Sequence, residues 1–483
     1  MRRILRKKIC NLIDILFETN SQLSYLDVED IYDILSQSQS ALIEVGNELD
    51  EGVPGEKTLV GYFEEYCELL WQISQNVTAV CEYLDELNKL LNASLNELAQ
   101  IEDNYEIVFM PYKASMWDCM DTVYRAARTD ERCKVYVVPI PYYNKDAEGK
   151  LAEKYYEIDD FPADVIVTPH NEYSLEEHCP DVIYIHNPYD GFNKVSSVEP
   201  SYYSSILKKY TDMLVYIPYF SLPSHLPETH KLLPAYAYAD KIILGSELMV
   251  ADVDAVVPRK RLEAMGSPKD ERLCYYDKHR DELNILESWK DKLEGRRVVF
   301  YNTSISNFLE YGDARLDRIE EFISVMELYE NREIAVIWRP HPLLRSTIIS
   351  MRPDLLSRYE ALVEKFLNRD YVILDETPDP VNAVILSDIY VGDMGSSMVQ
   401  MFYVLGKLCC FQVWADSGQN EGKVLLFDAG TKFENIYNEC RISSLEDAIS
   451  DLRQGKIARL ENKCNDTIGE NIHKLIMEEL QIM

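Results

Sequence analysis

The sequence predicts an α/β protein with two Rossmann-like domains facing across a cleft, behind an N-terminal helical region. Three observations carry this reading. Residues 1–102 have helical periodicity. After Asn104 the texture changes to short, continuous apolar runs that alternate with helical stretches. Their spacing of about 20–30 residues is that of βα units in a parallel sheet buried on both faces. The same texture starts again after the charged stretch Asp277–Arg297. The expected domains are a helical, partly coiled-coil-like region 1–102, an N-terminal acceptor domain 103–285, and a C-terminal nucleotide-donor domain 286–483 with terminal helices.

The first element is amphipathic. Ile4, Leu5, Ile9, Leu12, Ile13, Leu16 and Phe17 share one helical face, and Arg2, Arg3, Arg6, Lys7 and Lys8 crowd the first two turns. Residues 1–17 fit either a peripheral membrane contact or a helix packed on its neighbours, and packing is the favoured reading. The periodic segment Leu26–Leu49 ends at the breaker Gly52-Val53-Pro54-Gly55. Leu70, Val77, Leu84, Leu91 and Leu98 then recur every seventh residue, with Ile73, Val80 and Leu87 three later. This is a coiled-coil-like seam that pairs either within the chain or with a second copy, as a homo-oligomer.

The first α/β series has candidate strands at 106–110, 135–139, 164–168, 182–186, 214–218 and 241–245. The second has them at 298–302, 334–338, 371–374, 388–391 and 408–412. Residues 444–483 read as helical and acidic.

Composition excludes several functions. Among 483 residues, 83 acidic side chains oppose 49 basic ones, for a net charge of −34. A field of that sign repels nucleic-acid phosphate, so nucleic-acid binding is set aside. The eleven cysteines show no CxxC pair, and Cys409-Cys410 sit in an apolar run. They read as reduced, buried thiols of a cytoplasmic protein, with the inner membrane face as the alternative location. No histidine spacing suggests a zinc site, and no metal or cofactor is expected. No GxSxG elbow, Walker loop or GxGxxG fingerprint is present.

Ligands of open parallel sheets bind outside the carboxyl ends of the strands, so the residues following each strand are the candidates. In the second half, Arg339-Pro340-His341-Pro342 follows a strand and offers a guanidinium fork and an imidazole to phosphate oxygens. Gly392-Asp393-Met394-Gly395-Ser396-Ser397 joins a strand to a helix, where Asp393, Gly395, Ser396 and Ser397 suit an anion or an ordinary helix cap. Thr303 and Ser304 end another strand and offer hydroxyls. In the first half, His186 ends a strand and is positioned as a general base, with Asp190 to orient it or contact a hydroxyl. Thr168-Pro169-His170 and Pro111-Tyr112-Lys113 are weaker strand-end candidates.

At these residues the sequence resembles the CDP-glycerol glycerophosphotransferase family, the teichoic-acid polymerases and primases of Gram-positive bacteria. Four features carry the resemblance, in order. They are the strand-terminal His186, with Asn187 where the family has glycine; the turn Gly266-Ser267-Pro268-Lys269-Asp270-Glu271; Arg339-Pro340-His341-Pro342; and Asp388, Asp393, Ser396, Ser397 and Lys407, with one extra residue before the serines. The resemblance spans about residues 180–412. It implies a GT-B-like arrangement, a CDP-linked donor held by the C-terminal domain, a polyol or glycan hydroxyl as acceptor, and His186 as the base. The turn at Gly392–Ser397 is also similar to the UDP-binding turn of non-hydrolysing UDP-GlcNAc 2-epimerases. The expected activity is transfer of a glycerophosphate-like group in cell-envelope polymer synthesis. The alternatives are an enzyme using a nucleotide sugar, either a glycosyltransferase or epimerase-like, and a non-catalytic helical scaffold with a degenerate transferase fold.

Overall fold

A computed structural model describes residues 1–483 except 51, 147, 223–224, 330–332, 378, 413–422, 428–440, 458, 461 and 483. Four helices lead the chain: α1 (Arg3–Gln22), α2 (Val28–Gly46), α3 (Pro54–Gln75) and α4 (Val80–Leu98). Asp27 caps α2 by accepting from the Asp30 amide, and Pro54 starts α3, where its missing N–H costs nothing. The heptad seam does not run straight. Asn76 leaves helical geometry, so α3 and α4 form a hairpin. Leu70, Ile73, Val80, Leu87, Leu91 and Leu98 then share one core with Leu5, Ile9, Ile13 and Leu16 of α1. The seam therefore pairs within the chain, as a bundle. Asn20 pins its register, donating to Asn88 Oδ1 at 2.9 Å and accepting from the Tyr66 hydroxyl at 2.8 Å.

The basic start of α1 docks the bundle on the first α/β domain. Arg3 is buried and pairs with Asp181 and Asp212; Lys7 also reaches Asp212, Arg2 reaches Glu106, and Arg6 reaches Asp103. Lys8 pairs with Glu48 inside the bundle. The cations that suggested a membrane contact through residues 1–17 are spent on carboxylates of the same chain. Among the described residues, no helix is long and apolar enough to cross a membrane.

The first domain contributes β1 (Tyr105–Phe109), β2 (Cys133–Val137), β3 (Tyr142–Lys145), β4 (Leu151–Tyr155), β5 (Val182–Ile185), β6 (Ser196–Val198), β7 (Met213–Tyr216), β8 (Lys241–Leu244) and β9 (Leu262–Ala264). The second contributes β10 (Arg297–Thr303), β11 (Ile334–Pro340), β12 (Val372–Leu374), β13 (Ile389–Gly392), β14 (Leu408–Gln412), β15 (Lys423–Phe427) and β16 (Arg441–Ser444). Among the described residues the first sheet runs β2-β1-β5-β7-β8-β9, all parallel. The second runs β12-β11-β10-β13-β14-β15-β16, parallel except for β15 and β16. A separate small antiparallel sheet orders β4-β3-β6. Each large sheet reverses its winding once, between β1 and β5 and between β10 and β13, and ligand crevices form at such switch points.

Several expectations are corrected. Residues 164–168 make only an isolated bridge, Val137 to Val167, because the preceding turn holds the segment against one sheet edge. β3, β4, β6, β9, β15 and β16 are short strands of the small sheet or of the outer parts of the large ones, and continuous apolar runs do not mark them. The second domain does not simply begin at 286 and end at 483. The helix Pro268–Lys278 lies at the junction, and its Leu273 and Cys274 are in the second core. The terminal helix Ile468–Ile482 returns to the first domain, burying Ile468, Ile472, Ile476 and Leu480 beside β1 and β5. Gly266 has φ +92°, and a Cβ there would meet Ile468 at 2.8 Å, so the junction turn and the returning helix approach closely. The cysteines are not all free: Cys274 and Cys464 form a disulfide. Their separation of 190 residues is closed by the fold, a distance that spacing arithmetic cannot see. Cys409 and Cys410 are buried strand core, in line with their apolar run.

Candidate functional site

A cleft of about 1330 Å³ lies between the two domains. The strands explain its position. Its second-domain wall is built at the carboxyl ends of β10, β11 and β13: Ser304 and Ser306, Arg339 to Pro342, and Gly395 to Ser397. β10 and β13 flank the switch point of that sheet. Gly392 allows their turns to meet, since a Cβ there would lie 2.4 Å from the Asn302 carbonyl oxygen.

The two turns are welded from below. The buried Asp393 accepts from the Ser304 amide at 2.7 Å, and its carboxylate lies 3.5 Å from Nη2 of Arg315, which is fully buried. Arg315 also donates to Gln412 Oε1 at 2.6 Å. Tyr390 donates its hydroxyl hydrogen to the Asp393 carbonyl at 2.6 Å. Asp393 therefore positions the turns and does not line the cleft, which corrects its assignment as a ligand contact. Thr303 is likewise corrected. It is fully buried, and its hydroxyl accepts from the Trp338 indole at 3.3 Å, because strand alternation turns it inward. Its neighbour Ser304 faces the cleft.

Arg339 and His341 are both on the wall. Arg339 is held by Asp375 at 2.5 Å and by the Thr377 carbonyl at 2.8 Å. His341 accepts at Nδ1 from the Leu343 amide at 3.2 Å, which leaves the ring proton on Nε2. Burial lowers its pKa below the ordinary imidazole range, so at neutral pH it is an uncharged donor. Ser396 accepts from the Met398 amide at 3.2 Å, a local cap at the start of helix Met398–Val404. Gly395 has open space beside it.

The first-domain wall follows β1 and includes Ser115, Trp117, Asp118, Asp121, Glu157 and Tyr219, with Lys269 and Arg272 from the junction helix. Glu157 accepts from the Tyr142 hydroxyl at 2.6 Å and the Ala114 amide at 2.9 Å. Asp118 pairs with Lys269 at 3.1 Å. Each lining cation has a carboxylate partner: Arg125 with Asp121 and Asp164, Lys269 with Asp118, Arg272 with Asp379, and Arg339 with Asp375. An anionic ligand therefore meets neutral donors and charge pairs. Asp270 bridges the domains, accepting from Ser221 at 2.9 Å and from Gln400 at 3.0 Å.

His186 does not reach the cleft. It is fully buried, stacked on Tyr112 at 5.1 Å and edge-on to Tyr219. Nε2 accepts from the Tyr112 amide at 3.1 Å. Burial, with the nearby Lys269 and Lys113 charges, pushes its pKa down to about 3. The expectation that it faces the donor turn is corrected: Tyr219, which lines the cleft, covers it. Asp190 is corrected too. It is a buried cap with φ 48°, accepting from the Ser204 amide at 3.0 Å and the Ser204 hydroxyl at 2.7 Å, and it makes no bond to His186.

The predicted second-domain turns at Ser304, Arg339–Pro342 and Gly395–Ser397 lie together in the cleft, whereas Asp118, Glu157, Asp375 and Arg315 were not singled out in the sequence. Pro111-Tyr112-Lys113 marked the right strand end, five residues short of Asp118. Arg315 lies among other charges in the helix Asp313–Glu327, and nothing local distinguishes it.

No protein-family model matches the chain, and no curated protein matches it. Among solved structures it is similar to S. aureus MnaA bound to UDP, with 11% identity, 78% of this chain and 98% of that one covered, and a TM-score of 0.45. It is similar to a putative UDP-N-acetylglucosamine 2-epimerase from Listeria monocytogenes, with 12% identity, coverage of 79% and 98%, and a TM-score of 0.49. It is also similar to the wall teichoic acid polymerase TagF, with 12% identity, coverage of 83% and 96%, and a TM-score of 0.40. These are likenesses of fold. Two parallel-sheet domains, each with one switch point and a cleft between them, form a GT-B-like α/β protein.

Proposed function

We propose that the protein is a nucleotide-diphosphate-dependent transferase of cell-envelope polymer synthesis, moving a glycerophosphate-like group from a CDP-linked donor to a hydroxyl. One observation carries this reading. Three strand ends of the second domain direct uncharged donors, from Ser304, His341, Ser396 and Ser397, at one crevice opposite a carboxylate-bearing wall. Such an array suits a diphosphate, whose charge rises at the bridging oxygen as CMP departs. The acceptor oxygen attacks the phosphorus distal to cytidine, the new P–O bond forms, and the bond to the CMP oxygen breaks. The acceptor proton goes to a carboxylate of the first-domain wall, which carries Asp118, Asp121, Glu157, Asp160 and Asp164. The buried His186 takes no part in this scheme, and its burial is the observation that favours the rival scaffold reading.

The test is donor binding and turnover with CDP-glycerol, with UDP-linked sugars in parallel. His341→Ala removes a neutral donor and should weaken CDP-glycerol binding about 10-fold, near 1.4 kcal/mol. Equal affinity in both proteins would refute the donor site. Retained binding with no turnover of any donor would favour the scaffold.

A further inference from the structure

The second sheet carries a small basic pocket at its opposite edge. Arg297 opens β10, Asp388 immediately precedes β13, and Leu408 opens β14, so the pocket lies at the amino ends of strands, two of which, β10 and β13, lead into the cleft at their carboxyl ends. At about 3.3 Å per residue, these strands separate the two places by roughly 13–23 Å. The cavity is about 170 Å³ and is lined by Arg280, Arg297, Arg459, Lys407, Ser387 and Asp388 among others. That is below the roughly 300–1,000 Å³ usual for organic ligands, and it suits a compact ion.

The charges do not balance there. Arg280 and Arg459 share one carboxylate, Asp277, and Arg280 reaches it at 2.7 Å. Arg297 lies 3.5 Å from Asp388, whose other oxygen accepts from the Val298 amide at 2.7 Å. Lys407 is buried, and its ammonium donates to three backbone carbonyls, those of Val384, Ile385 and Ser387, at 2.8, 3.0 and 2.7 Å. Among the described residues it has no carboxylate within ion-pair distance. Three guanidinium groups thus share two carboxylates, with the Lys407 amine beside them, in a chain of net charge −34. Burial pushes the Lys407 pKa down to about 7, and an oxyanion beside it would favour the charged ammonium. Guanidinium forks on the half-exposed Arg280 and Arg297 match its oxygens.

We propose that this pocket binds a phosphate-sized oxyanion, either inorganic phosphate or the terminal phosphate of a monoester. The site is independent of the cleft and of the transfer reaction. Binding would also tie together elements from both sides of the junction. Arg280 follows the junction helix, and Arg459 lies on the segment that leads to the terminal helix, where it donates to the Leu405 carbonyl at 2.6 Å.

The test is thermal shift of the full chain titrated with inorganic phosphate and, separately, with CMP, against chloride at equal ionic strength. Wild type should show a saturable rise with phosphate. The double variant Arg280→Gln/Arg297→Gln should weaken the apparent affinity at least tenfold, while His341→Ala keeps it. If the double variant is unfolded without ligand, Arg297→Glu alone reads the same loss. Because the cleft is itself proposed to hold CMP, the CMP arm is read in His341→Ala: a CMP response of that variant that is lost when Arg280→Gln/Arg297→Gln are added assigns the pocket to phosphomonoesters, and a pocket response to phosphate alone assigns it to the free ion. A non-saturable shift, or one unchanged in the arginine variants, overturns the proposal.

Discussion

His186 should behave as a neutral core residue whose protonation unfolds the first domain. The perturbation is acid. The imidazole is fully buried with its pKa pushed down to about 3, mainly by burial, against an ordinary value near 6.5. Between those values the unfolded chain holds a proton that the folded chain does not. Stability therefore falls as pH drops from 6.5 toward 3. At pH 5 the gap is about 1.5 pH units, or about 2 kcal/mol at 1.36 kcal/mol per unit. His186→Gln keeps an acceptor for the Tyr112 amide and does not titrate. Urea unfolding at pH 7.5 and 5.0, followed by Trp fluorescence, should show wild type losing about 2 kcal/mol more than the variant across that interval. Nitrogen-15 spectra of labelled histidine give a second reading, in which His186 stays neutral at pH 5. Identical pH dependence in the two proteins, or a His186 midpoint near 6.5, would refute the buried assignment and return this side chain to the cleft as a base.

Two further outcomes follow from the packing. Arg3→Ala leaves the buried Asp181 without its nearest α1 cation and should destabilise the docked bundle by about 3–5 kcal/mol, read by differential scanning calorimetry; a loss below about 1 kcal/mol would show that the pair is screened as a surface bridge is. Cys464→Ser, or reduction of the wild type, should lower stability by roughly 2–4 kcal/mol through the 190-residue separation that the bridge closes, and a thiol count that does not change on reduction would show that Cys274 and Cys464 are not joined.

The parts legible in the sequence are those decided by local periodicity. Continuous apolar runs such as those around Val299 and Ile337 become central parallel strands because both of their faces are covered. The two α/β series, the helical start, and the strand-end turns at Arg339 and Ser396 follow from the same rule, since ligand crevices lie beyond the carboxyl ends of such strands. Tertiary structure decided what depends on residues far apart in the chain. Asp393 and Thr303 sit in polar, site-like turns, yet one is drawn inward by the Ser304 amide and Arg315 and the other by Trp338. His186 ends the right strand but is sealed by Tyr112 and Tyr219, which approach from other strand ends. The basic residues of α1 look equally ready for a lipid surface until Asp103, Asp181 and Asp212 are placed opposite them. The terminal helix joins the first domain because its apolar face packs on the helix Asp121–Thr129 and shares a core with residues of β1 and β5. Periodicity states which face of an element is buried; only the assembled fold states against what, and burial with its partners decides whether a polar side chain serves the site or the core.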